Sequence, residues 1–442
     1  MRGMRSSDAT RGRFERGQII IMIVLILALG AGFLVYSLAA PRAIVAERNA
    51  QTDAALASAK QALIGWSASR TPVAASLNIR PGELPCPDKD NDGLDDDGAC
   101  NAGDIGRVPW KTLGIPEPKD GYGETLWYAI AGPFRYKPQA SAPITSDTLG
   151  NLTVYLGTIV QTSQAIAVLF SPGPPVGSQA RGSTVAACST TGTSIQQNYC
   201  AANYLESTGS GNNAQIGGPF IQAVTSGTFN DRVLAITNAD LMPLVEPRVA
   251  REMMSLLQQY KAATGVYPWA DLYDGNSNGN PGTDADNRER FPCGTAQPTD
   301  WGTGGTPNLP DWLTNGCGPS FSTGWAGLVY YAVAKNRLEA GGTGCTTCTA
   351  STLSWSNSGL AYLCPYASAP FTCTLTTVAA GSADVILITP GAWDGSAHNW
   401  PLSFNTITGY FEDSENSDNN DDQYAIPSAS DDPNRDRMFI MR

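Results

Sequence analysis

The sequence predicts an α+β protein: a long N-terminal membrane-spanning helix followed by two related helix-on-antiparallel-sheet domains, disulfide-rich. Three observations carry this. Residues 18–40 hold no charged side chain. Ten cysteines are spread along the chain. Short phrases of the first half return, in the same order, in the second.

The elements follow in order. Residues 1–17 form a basic leader with five arginines against Asp8 and Glu15, a net charge of +3. Residues 18–40, "QIIIMIVLILALGAGFLVYSLAA", are expected to form a transmembrane helix. At ~1.5 Å per residue the segment reaches about 34 Å, against a hydrocarbon core of ~30 Å. The basic flank predicts a cytoplasmic N-terminus, with everything after residue 40 on the far side of the inner membrane. Residues 41–66 read as an amphipathic helical extension, bending at Pro41, rich in small residues and carrying Leu56, Leu63 and Trp66.

Residues 67–244 and 245–442 are expected to be two head domains, the second an internal duplicate of the first. "LWYAIA" (126–131) returns as "VYYAVA" (329–334), and "IAVLFSPG" (166–173) as "VILITPG" (385–391). "NYLES" (203–207) is echoed by "GYFED" (409–413), and "NDRVLAI" (230–236) by "NRDRMFI" (434–440). Repetition in constant order is the mark of a repeated structural unit. Each half opens with a helix. In the second, Val249, Met253, Leu256, Leu257 and Tyr260 share one face, Pro247 suits the first turn and Gly265 the C-terminal cap. Short apolar runs punctuated by Gly, Pro, Asn and Asp then read as strands.

Charged residues are 15% of the chain and the net charge is -12, which argues against a nucleic-acid partner. Outside the cytoplasm, Cys86, Cys100, Cys188, Cys200, Cys293, Cys317, Cys345, Cys348, Cys364 and Cys373 read as disulfides. Cys86–Cys100, Cys188–Cys200 and Cys293–Cys317 are the natural local pairs. The last four admit three pairings, or a zinc site.

Cys86 and Cys100 bracket "PDKDNDGLDDDGA", in which Asp88, Asp90, Asp92, Gly93 and Asp96 spell D-x-D-x-D-G-x-x-D. Alternate carboxylates converge when the chain curls, glycine permits the curl, and Ca2+ takes six to eight oxygens. Leu94 would add its backbone carbonyl, and Asp95 or Asp97 a further oxygen. The twelfth position from Asp88 is Ala99, so the loop is no EF-hand. It resembles the calcium loops of thrombospondin-type and dockerin-type repeats. The competing reading is a solvated acidic turn. A weaker second site is expected at Asp274, Asn276 and Asn278, where two carboxylates have become amides. Catalysis is not expected: His398 is the sole histidine, and neither a nucleophile elbow nor a phosphate-binding glycine loop is present.

The leader ending in Gly17, the uncharged segment, the helical extension, and the phrases "KDGYGETLWYAIAG" (119–132) and "TGVYPW" (264–269) resemble type IV pilins and type II secretion pseudopilins. The resemblance implies cleavage of the Gly17–Gln18 bond by a prepilin peptidase. It also implies contact with other pilin-like subunits through the N-terminal helix. Those proteins usually carry glutamate at the fifth mature position and phenylalanine at the first; here these are Met22 and Gln18. The chain is therefore closer to a minor or accessory subunit, with a calcium-stabilised periplasmic or extracellular head. The alternative is a membrane-anchored binding protein or adhesin using Trp110, Trp127, Trp269, Trp301, Trp312 and Trp325.

Overall fold

The computed structural model describes residues 11–69, 80–96, 100–136, 143–177, 179, 181, 188–190, 193–195, 201–271, 285–286, 288–293, 301–314, 324–334, 337–338, 352–365, 373–391, 411, 416, 423–426 and 436–442, without side chains at 11–19, 32–41, 188–190, 193–195, 271, 285–286 and 314. It opens with α1 (Arg11–Ser69), a single long helix. The strands of the first half are β1 (Ile105–Arg107), β2 (Trp127–Ile130), β3 (Leu152–Leu156), β4 (Ile159–Ala165), β5 (Ala167–Ser171), β6 (Cys188–Thr190), β7 (Thr193–Ile195), β8 (Ser207–Thr208), β9 (Gly211–Asn212), β10 (Phe220–Gln222) and β11 (Arg232–Ile236). The second half holds α2 (Asn238–Thr264), β12 (Ala270–Asp271), β13 (Ala285–Asp286), β14 (Arg288–Arg290), α3 (Asp311–Thr314), β15 (Tyr330–Val333), β16 (Leu353–Trp355), β17 (Gly359–Cys364), β18 (Thr374–Val378), β19 (Gly381–Ala383), β20 (Val385–Thr389), β21 (Gln423–Tyr424) and β22 (Arg437–Met441).

Two antiparallel sheets form the centre. The first has strand order β1-β2-β5-β11. The second contains β14-β15-β20-β22, also antiparallel throughout. Each has a smaller companion. β3 pairs antiparallel with β4 and parallel with β10; β16 pairs antiparallel with β19 and parallel with β21. The hairpin β17–β18 adds to the free side of β22 in parallel, extending the second sheet where the first ends at β11. β2, β5, β15 and β20 are buried along their whole length. That is why they read in the sequence as unbroken apolar runs rather than alternating ones.

The last turns of α1 lie against this framework through Leu56, Ala59, Leu63 and Ile64, all buried. The phrase "KDGYG" makes close approach to the helix possible. A Cβ on Gly121 would sit 2.1 Å from the carbonyl oxygen of Arg48, and the Gly121 N–H donates to Thr52 Oγ1 at 3.0 Å. The turn is held by Asp120, whose Oδ1 accepts the N–H groups of Tyr122 and Glu124 and whose Oδ2 accepts Ser171 Oγ and the Gly173 N–H.

α2 begins earlier than the sequence suggests. The Thr237 N–H donates to Asp240 Oδ2 at 2.8 Å and the Asp240 N–H to the Thr237 carbonyl at 3.1 Å, which caps the N-terminus. Pro243 and Pro247 therefore stand inside the helix. Being four apart, they fall on the same side of it, and each removes one backbone hydrogen bond from that side. Gly265, at φ 84°, closes the C-terminus with its N–H on the Lys261 carbonyl.

One hydrophobic core runs through both halves, from Leu56 and Leu63 through Trp127 and Phe170 to Met253, Trp325 and Phe439. Ion pairs reinforce the junction. Lys60 of α1 meets Asp240 of α2 at 2.7 Å. The buried Glu246 of α2 binds Ser146 Oγ with Oε1 and the Arg437 guanidinium of β22 with Oε2.

The fold class expected from the sequence is corrected in two respects. Among the described residues no helix is long and apolar enough to cross a membrane. The single-pass inner-membrane placement, with a cytoplasmic N-terminus, accordingly loses its basis. The architecture is mixed helix and sheet with several sheets, some joined by parallel pairs, rather than two uniform antiparallel heads. Two disulfides lie wholly within the described residues, Cys86–Cys100 and Cys364–Cys373. Cys293 is also disulfide-bonded. Cys188 is described by its backbone alone; Cys200, Cys317, Cys345 and Cys348 lie outside the described residues.

Candidate metal site

The aspartate loop is anchored before it curls. Cys86–Cys100 ties its two ends, with Cα atoms 5.6 Å apart. Asp88 is pinned to the edge of the first sheet: its N–H donates to the Arg107 carbonyl at 3.0 Å and its carbonyl accepts the Arg107 N–H at 2.6 Å. Gly106 is needed there, since a Cβ would stand 2.4 Å from the Asp88 carbonyl oxygen. Gly93, at φ +87°, lies on the Trp110 ring, where a Cβ would come within 2.7 Å. Asn91 also has positive φ, 63°, so two left-handed residues turn the chain around a common centre.

The curl is held by the carboxylates themselves. Asp88 accepts the Asn91 N–H on Oδ1 at 2.6 Å and the Gly93 N–H on Oδ2 at 2.7 Å. Asp90 accepts the Asp92 N–H at 3.2 Å, and Asp92 the Leu94 N–H at 2.7 Å. Each aspartate thus closes a small turn on the next residues, and the three carboxylates come together. One oxygen from each of Asp88, Asp90 and Asp92 lies within 4.8 Å of the others. Oxygens on one Ca2+ at ~2.3–2.6 Å are at most about 5 Å apart, so the spacing suits a shared ion. Acidic groups also gather in this way without one.

Asp88 is buried while Asp90 and Asp92 are exposed. Burial first, and then the charges of Asp90 and Asp92, push the Asp88 carboxyl up to about 6, against the lowering effect of the Gly93 and Asn91 N–H groups. Burial likewise raises Asp96. Asp96 does not join the three: it accepts the Lys89 N–H at 2.9 Å. Asp95 is taken by Thr112, through Thr112 Oγ1 to Oδ1 at 2.8 Å. Leu94 contributes its N–H to Asp92. Asp97 lies outside the described residues, as do Asp274, Asn276 and Asn278 of the expected second site, and His398. Gly17 and Gln18 fall in the backbone of α1, with no side chain described.

Sequence reasoning missed the floor of the loop. Trp110 supports Gly93, the Lys111 N–H donates to the Gly93 carbonyl at 2.8 Å, Lys111 Nζ bonds the Asp92 carbonyl, and Thr112 holds Asp95. Nothing in the D-x-D-x-D spacing signals "WKT" (110–112), because the contact is made by the fold. The tryptophans proposed as a recognition surface are largely core: Trp127, Trp269, Trp312 and Trp325 are buried. No protein-family model, curated protein or solved structure matches the chain.

Proposed function

We propose that the chain is a structural subunit of the minor pilin type, packing among like helices through the start of α1 and carrying a head whose first half is clasped by calcium. One observation carries the assembly reading: the large side chains Ile20 to Leu29 of α1 are 51–68% exposed, while the far end of the same helix is built into the head. Exposed apolar surface on that scale marks an interaction site. Because the segment is apolar around its whole circumference, one flat partner would leave half of it wet. Several apolar helices side by side would cover it, and helices of the same kind meet that need. The loop at Asp88, Asp90 and Asp92 supports the calcium reading. Three converging carboxylates, one of them buried and resisting ionisation, gain most from a hard divalent cation. The role is mechanical: the helix holds the subunit among its neighbours, and the ion stiffens the loop at the head's edge.

Sedimentation of the full chain tests assembly. The wild type is expected to form large, discrete species, and Ile23→Asp with Leu27→Asp to run as a monomer with an unchanged melting temperature. A monomeric wild type, or a double variant that assembles equally well, contradicts the reading.

A further inference from the structure

The first half contains a second group of acids that the aspartate loop does not use. Glu206, beside β8, accepts the N–H groups of Asn230 and Asp231 on Oε2, both at 2.9 Å, and a Gln179 amide N–H on Oε1. Asp231, at the start of β11, accepts the Glu206 N–H at 2.8 Å and the Asn213 amide at 2.9 Å, both on Oδ2. Asn213 in turn clamps Ile221 of β10, accepting its N–H at 2.7 Å and donating to its carbonyl at 2.9 Å. Five segments of chain are tied at this point. Glu206 is 7% and Asp231 1% exposed, and Asp231 Oδ1 is buried with no partner.

Among the described residues no cation bonds either carboxylate. Arg181 is turned to the carbonyls of Pro172, Gly173 and Tyr204 and to Glu124 at 3.4 Å, and it reaches Glu206 only through Gln179, whose Oε1 accepts Arg181 Nη2 at 2.7 Å. Arg107 of β1 lies over the Tyr204 ring at 4.3 Å. Gln179, Asn213, Gln222 and Asn230 are neutral. Two buried carboxylates side by side cannot both ionise, and the orphaned Oδ1 is where a proton completes the hydrogen bonding. The same clamp recurs beside the second sheet: Asn416 accepts the Ala425 N–H at 3.0 Å and donates to its carbonyl at 2.9 Å, and the buried Asp436 precedes β22 as Asp231 precedes β11.

We propose that Glu206 and Asp231 share one proton and form a pH-sensitive latch, which holds β8, β9, β10 and the start of β11 together and releases them when the proton is lost. Burial first, and then the Glu206 charge and hydrogen bond, hold the Asp231 carboxyl well above its ordinary value of 3.8. A carboxyl raised by folding contributes stability that is fully present below 3.8 and is lost as pH rises through its folded value.

The test is equilibrium unfolding of the full chain, with chelator present to keep the aspartate loop free of metal, beside Asp231→Asn. The amide keeps the Oδ acceptor and supplies a permanent donor toward Glu206. Relative to the variant, the wild type's unfolding constant is expected to rise by up to about tenfold per pH unit from about 3.8 toward the latch's own midpoint, and to level off above it. Parallel pH profiles overturn the proposal. Carboxyl 13C NMR of the wild type gives a second reading that does not depend on the variant folding. A midpoint for Asp231 well above 3.8 supports the latch, and one at or below 3.8 overturns it.

Discussion

Glu246 is the residue whose loss the structure predicts to be felt most. It sits in α2 at 1% exposure, with one carboxylate oxygen on Ser146 of the first half and the other on Arg437 of β22. Arg437 is itself buried enough that desolvation lowers its guanidinium to about 10. Glu246→Ala leaves that cation buried without this carboxylate and leaves Ser146 without its acceptor. Breaking a buried pair from one side costs about 3–5 kcal/mol. Glu246→Gln keeps the shape and loses the charge, at about 1.5–3 kcal/mol, the range of a hydrogen bond to a charged group. Replacing both partners, Glu246→Leu with Arg437→Met, removes the cation together with the carboxylate and is expected to recover most of the loss. Urea unfolding followed by tryptophan fluorescence measures all three, since the pair lies at the edge of a core that contains Trp127 and Trp325. A loss under about 1 kcal/mol for Glu246→Ala, or a double replacement worse than the single one, refutes the reasoning.

Three further outcomes follow from the first half. Calcium is expected to raise the melting temperature of the full chain, and Asp90→Ala with Asp92→Ala to abolish the rise; an equal rise in the double variant removes the metal reading. Calorimetric titration should find calcium binding weakening as pH falls below about 6, where the proton on Asp88 competes, and in chelator the contribution of Asp88 should be fully present below 3.8 and fade as pH rises through about 6. Gly121→Ala, whose Cβ would strike the Arg48 carbonyl at 2.1 Å, should destabilise by more than the ~1 kcal/mol of an ordinary glycine replacement and loosen α1, read as faster amide exchange at Thr52.

Much of the sheet framework was legible because its central strands are buried on both faces. Continuous runs such as "LWYAIA" leave few alternatives. The curl at Asp88 to Asp92 was legible for a local reason: each carboxylate bonds an N–H two to five residues on, so the geometry is written in neighbouring positions. The start of α2 was misread because a proline at a helix start and one inside a helix look alike until the cap at Thr237 and Asp240 is seen. An uncharged helix was read as a membrane span because an apolar circumference is shared by helices covered by lipid and by protein. The Glu206–Asp231 knot and the "WKT" floor were not legible at all. Polar residues in loops read as surface, and only the fold brings residues 179, 206, 213 and 231 to one buried point.

The assembly claim is tested most directly by contact. A photo-crosslinking residue placed at Leu25 of the full chain, with the joined peptides identified by mass spectrometry, reports what covers α1. The account predicts a crosslink to the apolar N-terminal helix of another copy or of another chain that carries such a helix. Crosslinks confined to lipid, to the head, or to no protein at all would contradict it.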